Sequence, residues 1–206
     1  MICLQNLLIM SNNDVFFQRM ELLKQTIQSR AAIDDAAFAS VFELAQFKQF
    51  DKGEMLTGIG QVENYLYFII EGVTRSFFFK DDKDISLDFH FTGDFISVYE
   101  SFLDRVPALH ACEAFTPLST VRIRYEDLMK IYARSPEFEH ISRIFTEEQF
   151  KKSSERVKDL LSLTATERYL KVLNAHPEYV QNIPLKFLAS YLNITPESLS
   201  RVRKSL

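Results

Sequence analysis

The sequence has few of the residues that several common kinds of site require. Its 206 residues include only two cysteines, four histidines and five glycines. Cys3 and Cys112 have no metal-ligand spacing, which argues against an iron–sulfur cluster or a structural disulfide and favours reduced thiols in a cytoplasmic protein. No stretch approaches the roughly 18 apolar residues that a membrane span needs. Residues 1–10 are apolar but lack the basic flank and cleavage site of a signal peptide.

The scarcity of histidine and glycine also argues against an enzyme. A metal-dependent jelly-roll enzyme needs a His-x-His pair, and His90, His110, His140 and His176 provide none. Of these, only His110 is still a candidate axial ligand for a haem. There is no nucleophile elbow, phosphate-cradling glycine loop, dinucleotide fingerprint or His-Glu-x-x-His motif. A catalytic function is therefore not predicted.

The charge of the chain is unevenly distributed. The formal net charge is −4, yet residues 151–206 contain ten Lys and Arg against five Asp and Glu, whereas residues 1–150 contain fourteen against twenty-three. A basic segment joined to an acidic body is typical of a binding module attached to a separate domain. The C-terminal quarter is thus predicted to bind an acidic partner. The net charge of the whole chain does not reveal this basic segment.

Three hydrophobic patterns follow one another along the chain. From Val15 to Gln46 apolar residues recur at steps of three and four, which predicts helices. Between Gly53 and Arg124 the glycines and aromatic residues concentrate, and residues 85–91 alternate between apolar and polar, with His90 on the polar side. From Tyr125 onward helix formers dominate. Strands segregated from helices predict an α+β fold rather than a parallel sheet.

The most specific signal lies in residues 185–204, whose spacing fits a helix-turn-helix. Two short helices that cross closely need a small residue at their contact and a turn residue that tolerates positive φ. Ala189 supplies the first and Asn193, four residues later, the second. Thr195 then offers a capping hydroxyl and Pro196 the favoured first helical position. The alternative is a helical hairpin whose charges are merely solvated.

The second helix of this motif separates an apolar face from a polar one. Leu199, Val202 and Leu206 are predicted to be buried. The opposite face carries residue types that contact bases and phosphates in a major groove. The predicted DNA-contacting residues are Thr195, Glu197, Ser198, Ser200, Arg201, Lys186, Arg203 and Lys204, of which Arg201 is expected to read a base and Lys186, Arg203 and Lys204 to contact phosphates.

Three segments together resemble the Crp/Fnr family of transcription regulators. Residues 52–61 followed by 65–75 are similar to the β-roll of the cyclic-nucleotide-binding fold. Gly93-Asp94-Phe95 resembles the opening of the family's ligand cassette, and the helix-turn-helix resembles the family's DNA reader. The resemblance extends over roughly residues 16–206, and it depends on the order and spacing of the three segments rather than on any one of them.

The resemblance implies a chain of three parts. Residues 15–135 would form an N-terminal antiparallel β-roll sensor of the double-stranded jelly-roll type, 136–161 a long dimerisation helix, and 162–206 a winged-helix-like helix-turn-helix domain whose wing is short or absent. Residues 1–14 are expected to be disordered or an extension, with the functional start at Met10 or Met20. For the long helix, packing against the chain's own β-roll is the alternative to a dimer interface.

The effector cassette departs from the family pattern. In the family an Arg holds the cyclic phosphate and a Glu binds the ribose, but Asp94 stands at the Glu position and residues 107–110 contain no Arg. Arg105 would need a shifted loop to replace it. A phosphate buried without its guanidinium costs on the order of several kcal/mol, so cyclic AMP binding is predicted to be lost, and an unidentified effector, or none, takes its place. The predicted effector-binding residues are Gly93, Asp94, Phe95, Ala108, Leu109 and His110.

These observations predict a homodimeric, cytoplasmic, bacterial-type transcription regulator with no cofactor and no membrane association. It would bind double-stranded DNA at a pseudo-palindrome whose half-sites lie about one helical turn apart. RNA polymerase is a further expected partner. Two alternatives stay open: a small-molecule sensor module of the cyclic-nucleotide-binding fold that binds no DNA, and the metal-dependent jelly-roll enzyme.

Overall fold

The computed structural model of the chain describes residues 19–33, 35–81 and 83–206. The expected extension, residues 1–14, and with it Cys3 and Met10, lies outside the described residues. No helix in the described part is both long and apolar enough to cross a membrane.

The order of the elements is the one that the hydrophobic patterns predict, with helices before and after a block of strands. Helix α1 occupies residues 19–28. The other elements are α2 (Asp35–Leu44), β1 (Gln46–Phe50), β2 (Met55–Thr57), β3 (Tyr65–Glu71), β4 (Thr74–Lys80), β5 (Lys83–His90), β6 (Phe95–Ile96), α3 (Tyr99–Asp104), β7 (Ala111–Ala114), β8 (Leu118–Arg124), α4 (Tyr125–Arg134), α5 (Pro136–Ser162), α6 (Ala165–Ala175), α7 (Pro177–Asn182), α8 (Leu185–Tyr191) and α9 (Pro196–Lys204).

The strands form two four-stranded antiparallel sheets, in the orders β1-β8-β3-β6 and β2-β7-β4-β5. Apolar side chains of both sheets meet in one core, with Tyr67 and Ile69 of β3 packed among residues of β1, β6, β7 and β8. The predicted α+β fold with a β-roll is therefore confirmed. Among the described strands β5 pairs only with β4, so it is the edge of its sheet.

The turn between β3 and β4 depends on Gly72. Its φ is +107°, a conformation that side chains with a Cβ rarely adopt, and an added Cβ would lie 2.5 Å from the carbonyl oxygen of Pro117. The backbone at residues 117–118 therefore passes directly over this turn. This close passage fixes the start of β4, which carries Arg75 toward the C-terminal helices.

The long helix α5 has two halves with different surroundings. In the first half Phe138 and Ile141 are buried against the sensor, and Phe145 stacks on Phe95 of β6 with ring centroids 4.4 Å apart. This half adopts the alternative packing, against the chain's own β-roll. In the second half Val157 and Leu161 are 57% and 84% exposed. An apolar surface therefore stays open beyond the sensor.

Helices α6 to α9 form the C-terminal domain, and residues 163–206 contain no described strand. The domain starts with a capping box, in which the hydroxyl of Thr164 accepts from the Glu167 N–H and the Glu167 carboxylate accepts from the Thr164 N–H. Its core is not separate from the sensor. Phe89 of β5 is buried in the same cluster as Leu188 of α8.

The structure corrects the prediction for β5. Alternation placed His90 on an exposed polar side of the strand, yet both Phe89 and His90 are buried, and Ser86 is buried as well. The reason is that the C-terminal helices pack against this edge strand while its polar side chains line a cavity. The alternation of apolar and polar residues shows which side of a strand is apolar. It cannot show that other elements cover the polar side.

Candidate DNA-binding site and effector cavity

The helix-turn-helix is formed by α8 and α9. Ala189 is fully buried where the two helices meet, and Asn193 adopts a φ of 53° in the turn between them. The hydroxyl of Thr195 accepts a hydrogen bond from the Ser198 N–H at 3.2 Å, which caps α9. The small residue, the left-handed turn residue and the cap thus occupy the positions that the spacing predicts.

The apolar face of α9 is shorter than predicted. Leu199 is fully buried and Val202 is partly buried in the core of the C-terminal domain. Leu206 is 63% exposed, contrary to the prediction that it is buried, because α9 ends at Lys204 and Leu206 lies beyond the capping residue Ser205.

The polar face of α9 is open to solvent. Arg201 is exposed, and its Nη2 donates a hydrogen bond to the hydroxyl of Ser198 at 3.3 Å, so the guanidinium lies along the outer side of the helix. Lys186 is exposed on the neighbouring α8. The remaining predicted residues of this surface are exposed (Thr195, Glu197 and Lys204) or partly exposed (Ser198 and Ser200).

Arg203 is placed differently from the other predicted DNA contacts. Its Nε and Nη2 atoms are buried with no hydrogen-bond partner among the described residues, and its guanidinium lies 5.6 Å from the centroid of the Tyr169 ring on α6. This placement directs the side chain toward the interior of the domain.

A cavity of about 640 Å³ lies between the β-roll and α5. It is open to solvent and is bordered by β4 and β5 on one side, by the segment from β6 to β7 on another and by the middle of α5 on a third. Its polar lining residues are Ser76, Lys80, Ser86, Asp88, His90, Ser97, Tyr99, Glu100, His110, Gln149, Lys152, Ser153, Arg156, Ser190 and Asn193.

Of the six predicted effector-binding residues, only His110 lines this cavity. Asp94 faces a neighbouring cavity of about 560 Å³, and its Oδ2 accepts from the Phe91 N–H at 2.8 Å. Phe95 packs between aromatic rings, Ala108 is buried, and Leu109 is 79% exposed. Gly93 lies in the turn before β6 with a φ of +92°.

Arg105 does not enter the cavity either. It adopts a left-handed conformation with φ 57°, and its guanidinium donates to the backbone carbonyls of Glu63 and Phe102 and lies 4.4 Å from the centroid of the Tyr125 ring. These contacts hold the guanidinium away from the cavity lining. The segment 93–110 therefore supplies no arginine to the cavity.

An ion pair and a histidine–carboxylate contact lie in the cavity wall. Lys152 Nζ of α5 is 3.0 Å from Asp88 Oδ2 of β5, and His110 Nδ1 is 2.8 Å from Glu100 Oε1. Burial opposes the charge on Lys152, but the Asp88 carboxylate outweighs it and raises the pKa of Lys152. Burial lowers the pKa of His90, so this imidazole is neutral near pH 7. Its buried Nδ1 has no partner among the described residues.

The sequence gives no sign of the residues that connect this cavity to the C-terminal domain. The Tyr179 hydroxyl lies 3.0 Å from Asp88 Oδ1, and Arg156 donates to the Tyr191 carbonyl at 2.7 Å. The Ser86 N–H donates to the Ser190 hydroxyl at 3.0 Å. The partners lie 35 to 104 residues apart along the chain, and no local motif joins them.

Known proteins share this architecture. Residues 47–135 match the family model of the cyclic nucleotide-binding domain. No curated protein sequence matches the chain. Many solved structures are similar to it, and the three described next are each less than 25% identical, so the similarity is one of fold.

The first is FixK2 of Bradyrhizobium japonicum, with a TM-score of 0.67 at 20% identity over 79% of this chain and 84% of that one. The second is the c-di-GMP-responsive global regulator CLP of Xanthomonas campestris, with 0.66 at 19% identity over 84% and 91%. The third is a protein of Eubacterium rectale described as a Crp/Fnr-family transcriptional regulator, with 0.65 at 14% identity over 84% and 83%. The resemblance to Crp/Fnr regulators is thus confirmed at the level of the fold.

Proposed function

We propose that this chain, which has the fold of Crp/Fnr transcription regulators, is a cytoplasmic DNA-binding regulator that acts as a homodimer. The observation that carries the proposal is the exposed polar face of α9 on a complete helix-turn-helix. This face belongs to the C-terminal quarter of the sequence, which has a positive balance of ten Lys and Arg against five Asp and Glu in residues 151–206. Phosphate binding requires such an excess of cations.

The dimer is supported by the second half of α5. Phe150, Val157 and Leu161 are separated by seven and four residues, which places them within about 40° of one another around a helix of 3.6 residues per turn. All three are more than half exposed. Two copies of this stripe packed together would bury it and would set two α9 helices side by side for successive major grooves.

Within each half-site, Arg201 is the residue that we assign to direct base readout, with Glu197 and Ser198 as further base contacts. Lys186, Lys204, Thr195 and Ser200 would contact the phosphates around them. Arg203 is not included, because the interior of the domain holds its guanidinium. RNA polymerase stays an expected partner of the bound dimer.

The test is duplex binding over a range of salt concentrations. A protein that makes several phosphate contacts loses affinity steeply as salt rises. Arg201→Ala is expected to cost about 1–3 kcal/mol and to relax the preference at one base position, since a bidentate guanidinium contact to guanine is lost. Competition binding with a set of single-base variants of the preferred site measures this.

The matched control is Arg134→Ala, which removes an exposed arginine of α4 in the sensor. It should leave affinity and base preference unchanged. If Arg201→Ala lowered the affinity for every sequence equally, Arg201 would contact a phosphate and not a base. If the unaltered protein binds duplexes weakly and its affinity does not change with salt concentration, the alternative of a sensor module without DNA binding is favoured. That alternative requires only the 640 Å³ cavity.

The effector that we propose for the cavity is not cyclic AMP. A cyclic phosphate needs a guanidinium that reaches into the roll, and Arg105 is held away from the cavity lining. The cations that do line the cavity are Lys80 of β4 and Lys152 and Arg156 of α5, and Lys152 already pairs with Asp88. These groups favour a ligand with acidic or hydrogen-bonding groups.

Thermal unfolding with and without cyclic AMP tests this exclusion. A ligand at about 100 times its dissociation constant adds about 2.7 kcal/mol of stability, so a binder would raise the midpoint clearly. We expect no shift with millimolar cyclic AMP. A shift that saturates with concentration would contradict the exclusion, and an authentic cyclic-AMP-binding β-roll protein serves as the positive control.

A further inference from the structure

Helix α5 is joined to the C-terminal domain by only two residues. The helix ends at Ser162, and α6 begins at Ala165. Leu163 and Thr164 between them have extended backbones, with ψ angles of 146° and 165°. Each residue of such a link has two rotatable backbone dihedrals, so the link by itself allows many angles between α5 and the helices that follow. The angle therefore depends on contacts that bridge the joint.

Arg168 of α6 makes such a bridge. Its Nη1 donates to the carbonyl of Leu163 at 2.6 Å, and its Nε donates to the carbonyl of Leu192 at 3.0 Å. Leu163 is the capping residue at the C-terminal end of α5, and Leu192 has the same position on α8. The C-terminal end of a helix has unpaired carbonyls and a partial negative charge, which a guanidinium satisfies. One arginine thus connects the ends of two helices.

Arg156 connects α5 to the same place on α8. Its Nη2 donates to the carbonyl of Tyr191 at 2.7 Å, and its guanidinium lies 3.7 Å from the centroid of the Tyr191 ring. Since Tyr191 precedes Leu192, two consecutive carbonyls at the end of α8 are bonded to arginines. Arg156 and Arg168 together form an arginine clamp between α5 and α8. The guanidinium suits this role because its donors are held in a rigid planar fork.

The clamp holds the end of α8 from which the reading helix α9 continues. Asn193, with its left-handed backbone, and the capping residue Thr195 lie within three residues of Leu192. Leu199 then buries α9 in the same core as Tyr169 of α6. Little freedom remains between the clamp and α9, so the position of the end of α8 determines where the reading helix lies relative to α5.

We infer that the arginine clamp sets the half-site spacing that the dimer accepts. The inference rests on the proposed function, in which α5 forms the dimer interface and each protomer contributes one reading helix. One additional base pair moves two half-sites about 3.4 Å further apart and rotates them by about one tenth of a turn. A dimer follows this change only if the angle between α5 and α9 changes. The clamp opposes that change, so Arg156 and Arg168 are positioning residues that determine specificity without belonging to the proposed DNA contacts.

A set of duplexes that differ only in half-site spacing tests the inference. The unaltered protein is expected to bind one spacing best. Its preference for that spacing, over spacings one base pair longer or shorter, should fall about tenfold or more in Arg168→Gln, the factor that one hydrogen bond to a charged group contributes to an equilibrium. The base preference within each half-site should not change, because α9 keeps the same exposed face and Arg201.

Arg143→Gln is the matched control. Arg143 is an exposed arginine of the same helix α5, and its guanidinium pairs with Glu147 one turn further along. Its replacement should leave the spacing preference unchanged. Arg168→Lys keeps the charge but has a single donor nitrogen in place of the fork, so it should also lose most of the preference. This second variant separates the geometry of the guanidinium from its charge, and it gives the answer if Arg168→Gln folds poorly.

Amide exchange measures the clamp in the absence of DNA. The N–H groups of Leu163 and Leu192 donate to the carbonyls of Asp159 and Leu188 and close the ends of α5 and α8. Both groups should exchange faster in Arg168→Gln than in the unaltered protein, and Arg143→Gln should not change their exchange.

The ways in which the inference can fail are distinguishable. If Arg168→Gln binds all spacings in the same ratios as the unaltered protein, the packing of α8 on β5 sets the spacing, and the inference fails while the proposed function stands. An equal loss of affinity at every spacing, with a lower midpoint of thermal unfolding, would mean that Arg168 only stabilises the fold. An unaltered protein that binds all spacings equally well would overturn the inference too. If no form binds a duplex of any spacing, the proposed function fails and the inference fails with it.

Discussion

Replacing Phe150 and Leu161 together with glutamate is expected to convert the protein to a monomer and to weaken DNA binding by about 10²- to 10⁴-fold, the gain that linking two binding modules typically gives. Both side chains are largely exposed in the single chain, at 72% and 84%, so the charges disturb no internal packing. In a dimer the same carboxylates would face their own copies across a desolvated stripe, where like charges repel. Sedimentation and duplex titration measure the two effects.

Phe79→Glu is the matched control for this double variant. Phe79 is an exposed aromatic residue of β4, outside the α5 stripe. The control should stay dimeric and should bind DNA with unchanged affinity. A dimer that persists with glutamate at both stripe positions would place the dimer interface elsewhere and would remove the support that we draw from α5.

Leu199→Ala is expected to destabilise the C-terminal domain by about 2–5 kcal/mol, the usual cost of truncating a fully buried leucine. Leu199 is the residue of α9 that inserts deepest into the core shared by Leu188, Ala189 and Tyr169. A cavity at this point would loosen the attachment of the reading helix. Since this core includes Phe89 of the sensor, the loss should also appear in the unfolding of the sensor.

Chemical denaturation measures this loss, with Leu206→Ala as the control. Leu206 lies beyond the end of α9 and is exposed, so its truncation should change the free energy of unfolding by only a few tenths of a kcal/mol. A change below about 1 kcal/mol for Leu199→Ala would mean that the domain collapses around the missing side chain or that α9 packs elsewhere.

The helix-turn-helix could be predicted in detail because its requirements are local. Ala189, Asn193 and Thr195 act within a stretch of seven residues, and each meets a condition set by the backbone of its own turn or cap. The error at Leu206 has a local cause as well. The apolar period continues past Lys204, but the helix does not, and a pattern of side chains cannot show where the last backbone hydrogen bond forms.

The cavity could not be predicted to the same degree because its walls come from distant parts of the chain. Glu100 of α3 and His110 are close in sequence, yet Lys152 and Asp88 meet across 64 residues. Gly93 and Asp94 resemble a ligand-binding motif in sequence. In the structure they form the turn that leads into β6 and contribute backbone geometry. A local motif identifies residues that shape the backbone of one turn. It does not identify residues that are distant in sequence and come together in the fold.

The hydroxyl of Ser190 has one more consequence, and it concerns solubility. While α8 covers β5, the edge of the sheet cannot accept a strand from another molecule. Without α7 and α8 in place, the backbone of residues 84–86 and the rings of Phe89 and Phe91 would lose this cover together. The chain would then carry a bare strand edge beside an aromatic surface, the combination from which strand-to-strand aggregation begins. The C-terminal helices therefore protect the sensor from self-association as well as completing its fold.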